Sequence, residues 1–369
     1  MTHALVVFSG GLDSILAVKV LEDQGIKVTA LSFESYFFDA EESKKTAKQL
    51  GIDLIVKDIS ERQLNTVKNP AHGHGSALNP CIDCHGLMFR VAGELAELIG
   101  KNKKFDLIAT GEVLGQRPFS QNREALKKVE KLAGIDILRP LSAKLLPKTS
   151  YEEQGLVDRE KLLDISGKSR RRQLELVKKY EVEYYPSPAG GCRLTENEFG
   201  EKVKQLLEND GQNRNLDKID FELLRIGRHY WLRQDTRCKM QDTNNEVSKL
   251  WPAPIHSQCN EGREHAKQME SQDFSERVSK KNNQNENKLH IILGKNYEEN
   301  EQLKRSAKKG DTLVELEKIM GPIALIIQGQ KFDLENNPEL LNETKKLILN
   351  RSKGKGKNVD EVEYKIKEV

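Results

Sequence analysis

Over the first 140 or so residues, short apolar runs alternate with stretches in which apolar side chains recur every three or four positions. The runs are ALVVF (4–8), VTALSF (28–33), DLIVKDI (53–59) and FDLIAT (105–110). Short, continuous and rich in β-branched or aromatic residues, they read as strands buried on both faces. Between the first two, Leu12, Ile15, Leu16 and Val20 keep helical spacing, and Gly25 follows as a helix-closing residue. Helices are likewise predicted over 40–50 and 85–99, the latter from Leu87, Val91, Leu95 and Leu98. Strand–helix alternation of this kind predicts an α/β fold: a parallel sheet with helices on both sides and ligands at the carboxyl ends of its strands.

The α/β pattern is expected to continue through 111–200, with Lys168, Arg170, Arg171 and Arg172 opening a helix over 169–180 and YYPSPAGGC (184–192) forming a loop. A charged helix and a linker fill 201–220. Then the character changes. FELLRIGRHYWL (221–232) and KLHIILGKN (288–296) read as strands, followed by a helix (EENEQLKRSA), further strands including 321–329, a helix (338–350) and the final strand VEYKIKEV. Residues 233–287, rich in Gln, Asn, Ser, Lys and Glu and without periodicity, read as a disordered insertion, having too little apolar surface to offset the entropy of ordering. The expected organisation is therefore an α/β domain over 1–200, a linker helix over 201–220, and a smaller α+β domain over 221–369 broken by that insertion.

Composition narrows the class without naming it. The 60 basic and 57 acidic side chains give a net charge of +3, which by itself does not mark a nucleic-acid binder. No apolar run approaches the ~20 residues of a membrane helix, and the apolar N-terminus runs straight into a glycine turn rather than a cleavage site. Five cysteines without a leader suit reduced thiols in a cytoplasmic setting.

The strongest chemical signal is Ser9-Gly10-Gly11-Leu12-Asp13-Ser14, between the first strand and the first helix. Two glycines allow a tight turn that aims successive N–H groups at an anion at a helix N-terminus. Ser9 and Ser14 add hydroxyls, and Asp13 makes sense there if Mg2+ lies between its carboxylate and phosphates. A plain strand–turn–helix corner is the competing reading. The loop lacks the Walker A spacing and resembles instead the PP-loop ATP pyrophosphatases, over roughly residues 1–200. The resemblance implies ATP cleavage between the α and β phosphates and adenylation of a carbonyl oxygen. It also implies that Ser32-Phe33-Glu34 cradles adenosine by backbone contacts, that Ala109-Thr110-Gly111-Glu112 lies near the α-phosphate, and that Arg139 lies near the reacting phosphate. At the fourth position of the second segment the family usually has His, where this chain has Glu112.

Asn79-Pro80-Cys81-Ile82-Asp83-Cys84 precedes the 85–99 helix, and Gly190-Gly191-Cys192 lies far downstream. C-x-x-C is a redox or two-ligand spacing, and its polar setting reads as a loop at a helix N-terminus, where thiol pKa is lowered. Within the PP-loop enzymes these cysteines resemble those of the tRNA thiouridine synthases, which implies an ATP-dependent sulfurtransferase acting on tRNA. Two routes are open. Cys192 carries a persulfide that Cys81 attacks, or Cys81, Cys84 and Cys192 hold three irons of a 4Fe–4S cluster whose fourth iron carries hydrosulfide. A closed zinc site with His85 is a third reading. Sulfur would come from a donor protein or inorganic sulfide, and a homodimer is compatible with the chain. His72 and His74 fall in a polar loop, and Cys238 and Cys259 in the insertion, without an assigned role.

Farther on, Gly227-Arg228-His229-Tyr230, Gly294-Lys295-Asn296 with Glu299-Asn300, and Gly321-Pro322 resemble the RNA-binding domain of NFACT proteins. That implies RNA contact by Arg228, Lys295 and Asn296. Lys353 and Lys355, spaced with Arg351 and Lys357 by small residues, suit phosphate contact as well. A turn before a capped helix, and an ordinary solvated loop, explain the same residues. Sulfur chemistry on a small molecule, or RNA binding without catalysis, are the functional alternatives.

Overall fold

The computed structural model describes residues 1–99, 105–187, 191–210, 215–233, 288–327 and 338–369. The expected insertion, with Cys238 and Cys259, lies outside them except for its first residue, as does Gly190. The chain divides into two compact units, Met1–Glu201 and Lys202–Val369.

In the first unit, β1 (His3–Val7), β2 (Lys27–Glu34), β3 (Asp53–Asp58) and β4 (Leu107–Thr110) pair in parallel in the order β3-β2-β1-β4. Strict alternation buries both faces. Ala4, Val6, Phe8, Val28 and Ala30 enter one core, against α1 (Leu12–Glu22). Leu5, Leu31, Phe33 and Ile108 enter the other, with residues of α4 (Cys81–Ile99) and α5 (Arg123–Ala133). Helices α2 (Glu41–Leu50) and α3 (Ser60–Lys68) complete the βαβ crossovers. Periodicity did not predict α3 and α5, whose apolar stripes are short and mixed with charge.

Three other expectations are corrected. The α/β pattern does not continue past residue 110: among the described residues no strand joins the sheet after β4, and only single bridges form, Ala109–Leu138 and Leu114–Ser166. Pro118 and Pro140 remove backbone donors from that stretch. The chain there instead forms α5, the single turn α6 (Ser150–Glu153) and α7 (Arg171–Lys179). The first helix is capped at Asp23, with Gly25 at φ +74° turning the chain into β2. The C-x-x-C lies inside α4 rather than ahead of it, since the Cys84 N–H already donates to the Pro80 carbonyl at 2.8 Å.

The second unit begins within α8 (Asn197–Asn209) and continues through α9 (Lys218–Leu223) into an antiparallel sheet. Its strands are β5 (Arg228–Arg233), β6 (Lys288–Leu293), β7 (Thr312–Leu316), β8 (Ala324–Ile327) and β9 (Tyr364–Glu368), ordered β5-β6-β8-β7-β9. One face packs on α11 (Pro338–Asn350) through Leu340 and Ile348, the other on Leu223 and Leu303, the latter from α10 (Tyr297–Ser306). Phe221–Leu223, expected in a strand, is helical because Asp217 caps the N–H groups of Ile219 and Asp220. Among the described residues no helix is long and apolar enough to cross a membrane.

Candidate functional site

Strand order reverses between β1 and β4, and at such a switch point the carboxyl ends of two neighbouring strands open a crevice. The Ser9–Ser14 loop leaves one of those ends and Thr110-Gly111-Glu112 the other. They touch: a Cβ on Gly111 would fall 2.5 Å from the Asp13 carbonyl carbon and the Ser14 nitrogen. Gly10 is equally constrained, at φ +74° with a Cβ position 2.6 Å from the Glu42 carbonyl oxygen. Only glycine fits at either place.

Gly11, the N-cap of α1, provides no side-chain cap, so the helix N-terminus keeps N–H groups for an anion. The Ser14 hydroxyl donates to the Gly11 carbonyl at 2.8 Å, and the Gly11 N–H donates to Ser9 Oγ at 3.4 Å. The Asp13 carboxylate accepts from Gln116 Nε2 at 2.9 Å on one oxygen and from Gln173 Nε2 at 3.4 Å on the other. Gln173 is fully buried, and its Oε1 has no hydrogen-bond partner. A glycine cradle, an uncapped helix end, a carboxylate and an orphaned buried oxygen fit a nucleotide with its divalent cation. Phe33 is buried near the end of β2, where it pairs with Lys57 of β3.

Behind the crevice lies a buried charge cluster. Arg139, 2% exposed, reaches Glu112 Oε2 through Nε at 3.1 Å and pairs with Glu130 through Nη1. Its Nη2 is buried without a hydrogen-bond partner. Burial pushes the Glu112 carboxyl up, but Arg139 and a 2.7 Å hydrogen bond to His85 Nδ1 outweigh it and hold it below the usual carboxylate range. Glu112 thus ties β4 to the helix that carries Cys81 and Cys84.

Cys84 feels the charges of Cys192 and Cys81, and Cys192 that of Cys81, so the three thiols lie near one another. Two of the sulfurs accept an N–H, Cys81 from Asn79 Nδ2 at 3.1 Å and Cys84 from Gln63 Nε2 at 3.2 Å. The expected lowering of thiol pKa at the helix N-terminus is overturned for Cys84. Burial, then the charges of Cys192 and Cys81, push its thiol far up. Cys192 is pushed to about 12, chiefly by burial. Desolvation exceeds the partial charge of one helix end. Among the described residues no group of three His, Cys, Asp or Glu is arranged to hold a metal ion. His72 is bound through its backbone and ring to Asp83, and His74 to the Val67 carbonyl at 3.0 Å.

In the second unit, the Gly294-Lys295-Asn296 turn is held by its own motif. Asn296 caps α10 by accepting from the Glu299 N–H at 2.8 Å. Glu299 in turn accepts from the backbones of Gly227 and Lys295. Asn300 Oδ1 accepts from the Ile323 N–H at 3.1 Å. Arg228 opens β5, and Lys353 and Lys355 lie in the turn after α11, where the Lys353 N–H donates to the Met320 carbonyl. Beside them runs a chain that residue type alone did not reveal. His229 Nε2 faces the Ile226 carbonyl at 3.0 Å, His229 Nδ1 faces His290 Nε2 at 3.0 Å, and His290 Nδ1 faces Asp210 at 2.9 Å. A carbonyl only accepts, so His229 carries its hydrogen on Nε2 and receives one from His290.

The residues missed by sequence reasoning are three buried or half-buried glutamines, Gln63, Gln116 and Gln173. The available signal was a glutamine on the inward face of an amphipathic helix, as in SERQLNTVK, where Gln63 is buried beside Leu64 and Val67.

The family described as "Thiamine biosynthesis protein (ThiI)" matches residues 1–145. A probable tRNA sulfurtransferase of Finegoldia magna is 29% identical over 148 residues, 38% of this chain and 36% of the relative. The tRNA-specific 2-thiouridylase MnmA of Treponema denticola is 35% identical over 121 residues, 29% of this chain and 32% of the relative. The aligned region thus spans about a third of the length of these curated relatives. Among solved structures, a 4-thiouridine synthetase–RNA complex with bound ATP aligns at 20% identity and TM-score 0.31, over 49% of this chain and 52% of that one.

Proposed function

We propose that the protein is an ATP-dependent tRNA sulfurtransferase: it adenylates a nucleobase carbonyl and replaces the oxygen with sulfur. The observation that carries this reading is the meeting, around one switch-point crevice, of the Ser9–Ser14 loop and, through the His85–Glu112 bond, the cysteine helix. Similarity of residues 1–145 to the ThiI family supports it.

In the proposed reaction the α1 N-terminus and the glycine turns hold the ATP phosphates. Asp13 would hold a divalent cation there, which would neutralise charge on them. The carbonyl oxygen of the base attacks the α-phosphorus and pyrophosphate leaves. Sulfur then attacks the activated carbon, and AMP departs with the oxygen. In the two-cysteine route, Cys192 carries the sulfur as a persulfide taken from an external donor. Cys81 thiolate attacks Cys192 Sγ, releasing the terminal sulfur and forming a Cys81–Cys192 disulfide that an external thiol must reduce. The second unit, through Arg228, Lys295, Asn296, Lys353 and Lys355, is the proposed tRNA-contacting part.

The test is pyrophosphate release and thionucleoside formation with bulk tRNA, ATP and a persulfide donor. Asp13→Asn is expected to abolish both, and Cys192→Ala to abolish thiolation while sparing pyrophosphate release. Thiolation by Cys192→Ala would eliminate the persulfide carrier. Iron bound stoichiometrically and lost in Cys81→Ala, Cys84→Ala and Cys192→Ala would replace it with the cluster route.

A further inference from the structure

Six of the nine residues of helix α7, RRQLELVKK, are polar, and the residue it buries fully is not an apolar one but Gln173. The helix packs against α1 through half-buried Leu176 and Val177, while Leu174 is exposed. A fully buried amide whose oxygen lacks a partner costs about 1–3 kcal/mol, which leucine or methionine of similar size would avoid. What the amide gains is the bond from Nε2 to Asp13 Oδ1 at 3.4 Å. Its orientation is dictated: turned over, it would set a carbonyl oxygen against a carboxylate oxygen. Gln116, from the loop after β4, makes the matching bond to Asp13 Oδ2 at 2.9 Å. Each oxygen of the carboxylate thus receives one amide hydrogen, and of its roughly four lone-pair sites about two stay open.

We propose that Gln173 and Gln116 are positioning residues for a divalent cation at the nucleotide site, locking the Asp13 side chain so that its remaining lone pairs face the metal. The proposal rests on the nucleotide-site reading given above. Two segments distant in sequence, the loop after β4 and α7, thereby set the geometry of one residue of the first loop. Outer hydrogen-bond partners of this type typically contribute 10- to 100-fold in metal affinity.

The experiment uses the full-length chain, Mn2+ and α,β-methylene-ATP, with free Mn2+ counted by electron paramagnetic resonance. Affinity for the metal-free analogue and the thermal unfolding midpoint are measured alongside. Gln173→Leu and Gln116→Leu are each expected to weaken Mn2+ binding about tenfold or more, with metal-free nucleotide affinity held within about twofold. A merely structural role would lower both affinities together. Should Gln173→Leu fail to fold, Gln116→Leu, at a half-exposed loop position, carries the same test. Unchanged Mn2+ affinity in the glutamine variants, beside its loss in Asp13→Asn, would overturn the positioning role alone. No nucleotide binding by the unmodified protein, or full Mn2+ affinity in Asp13→Asn, would remove the nucleotide site and this proposal with it.

Discussion

Replacing Arg139 with methionine keeps volume near the original and removes the charge that Glu112 depends on. The guanidinium is 2% exposed and its Nε lies 3.1 Å from Glu112 Oε2, while Glu112 is itself 7% exposed. Breaking a buried pair by deleting one partner costs about 3–5 kcal/mol, because the survivor is left charged and desolvated. Here His85 stays within 2.7 Å as partial compensation, so the lower end, about 3 kcal/mol, is expected. The pH dependence has a definite sign. In the unmodified protein the Glu112 carboxyl lies below its ordinary 4.5, so its stabilisation is present above that value and is lost as pH falls through the folded value. Without Arg139 the largest influence opposing burial is gone, so the folded carboxyl moves up and the stabilisation it gives above that value shrinks. The gap between the two proteins should therefore be wider at pH 7.5 than at pH 5. Urea unfolding at both pH values measures it. Adding Glu112→Gln to Arg139→Met should recover most of the loss, since a neutral amide needs no counter-charge. A cost under about 1 kcal/mol, or no recovery in the double variant, would refute the reasoning.

Three further outcomes follow from the same structure. Gly111→Ala would push a methyl group into backbone 2.5 Å away, so the Ser9–Ser14 loop must shift; overpacking of this kind costs about 1–3 kcal/mol, and ATP affinity measured by calorimetry should fall more than tenfold. His229 is held down to about 3 from 6.5 by burial and by His290, so acid favours the unfolded state, which takes the proton first. Unfolding of the second unit should cost progressively less as pH falls from 6.5 toward 3, by of order 4 kcal/mol in all; His229→Gln should flatten that slope, and an unchanged slope would rule out His229 as its source. Changing Lys295, Lys353 and Lys355 together to alanine should weaken tRNA binding and reduce the log–log salt slope by about one for every phosphate no longer neutralised; an identical slope would exclude these lysines from the RNA interface.

Periodicity alone determined the four parallel strands and the helices α1, α2 and α4, because burial on both faces leaves a continuous apolar run that few other structures accommodate. The glycine turn was legible for a similar reason: Gly10 and Gly11 followed by Asp13 at a strand–helix corner is a local arrangement, specified by neighbours in the chain. The correction at the cysteines concerns a force that local sequence does not carry. Cys81-Ile82-Asp83-Cys84 reads as a polar approach to a helix, yet Cys84 is buried, because the surfaces that cover it come from elsewhere in the chain, Gln63 among them. Desolvation by those distant surfaces reverses the direction of its pKa. Phe221–Leu223 alternates like a strand but obeys the cap at Asp217. The clamp on Asp13 joins residues 103 and 160 positions away. A glutamine is equally at home on a solvated helix, so nothing in its type announces that role. Only the packing of α7 onto α1 turns that amide inward, where the missing solvent makes its single hydrogen bond count.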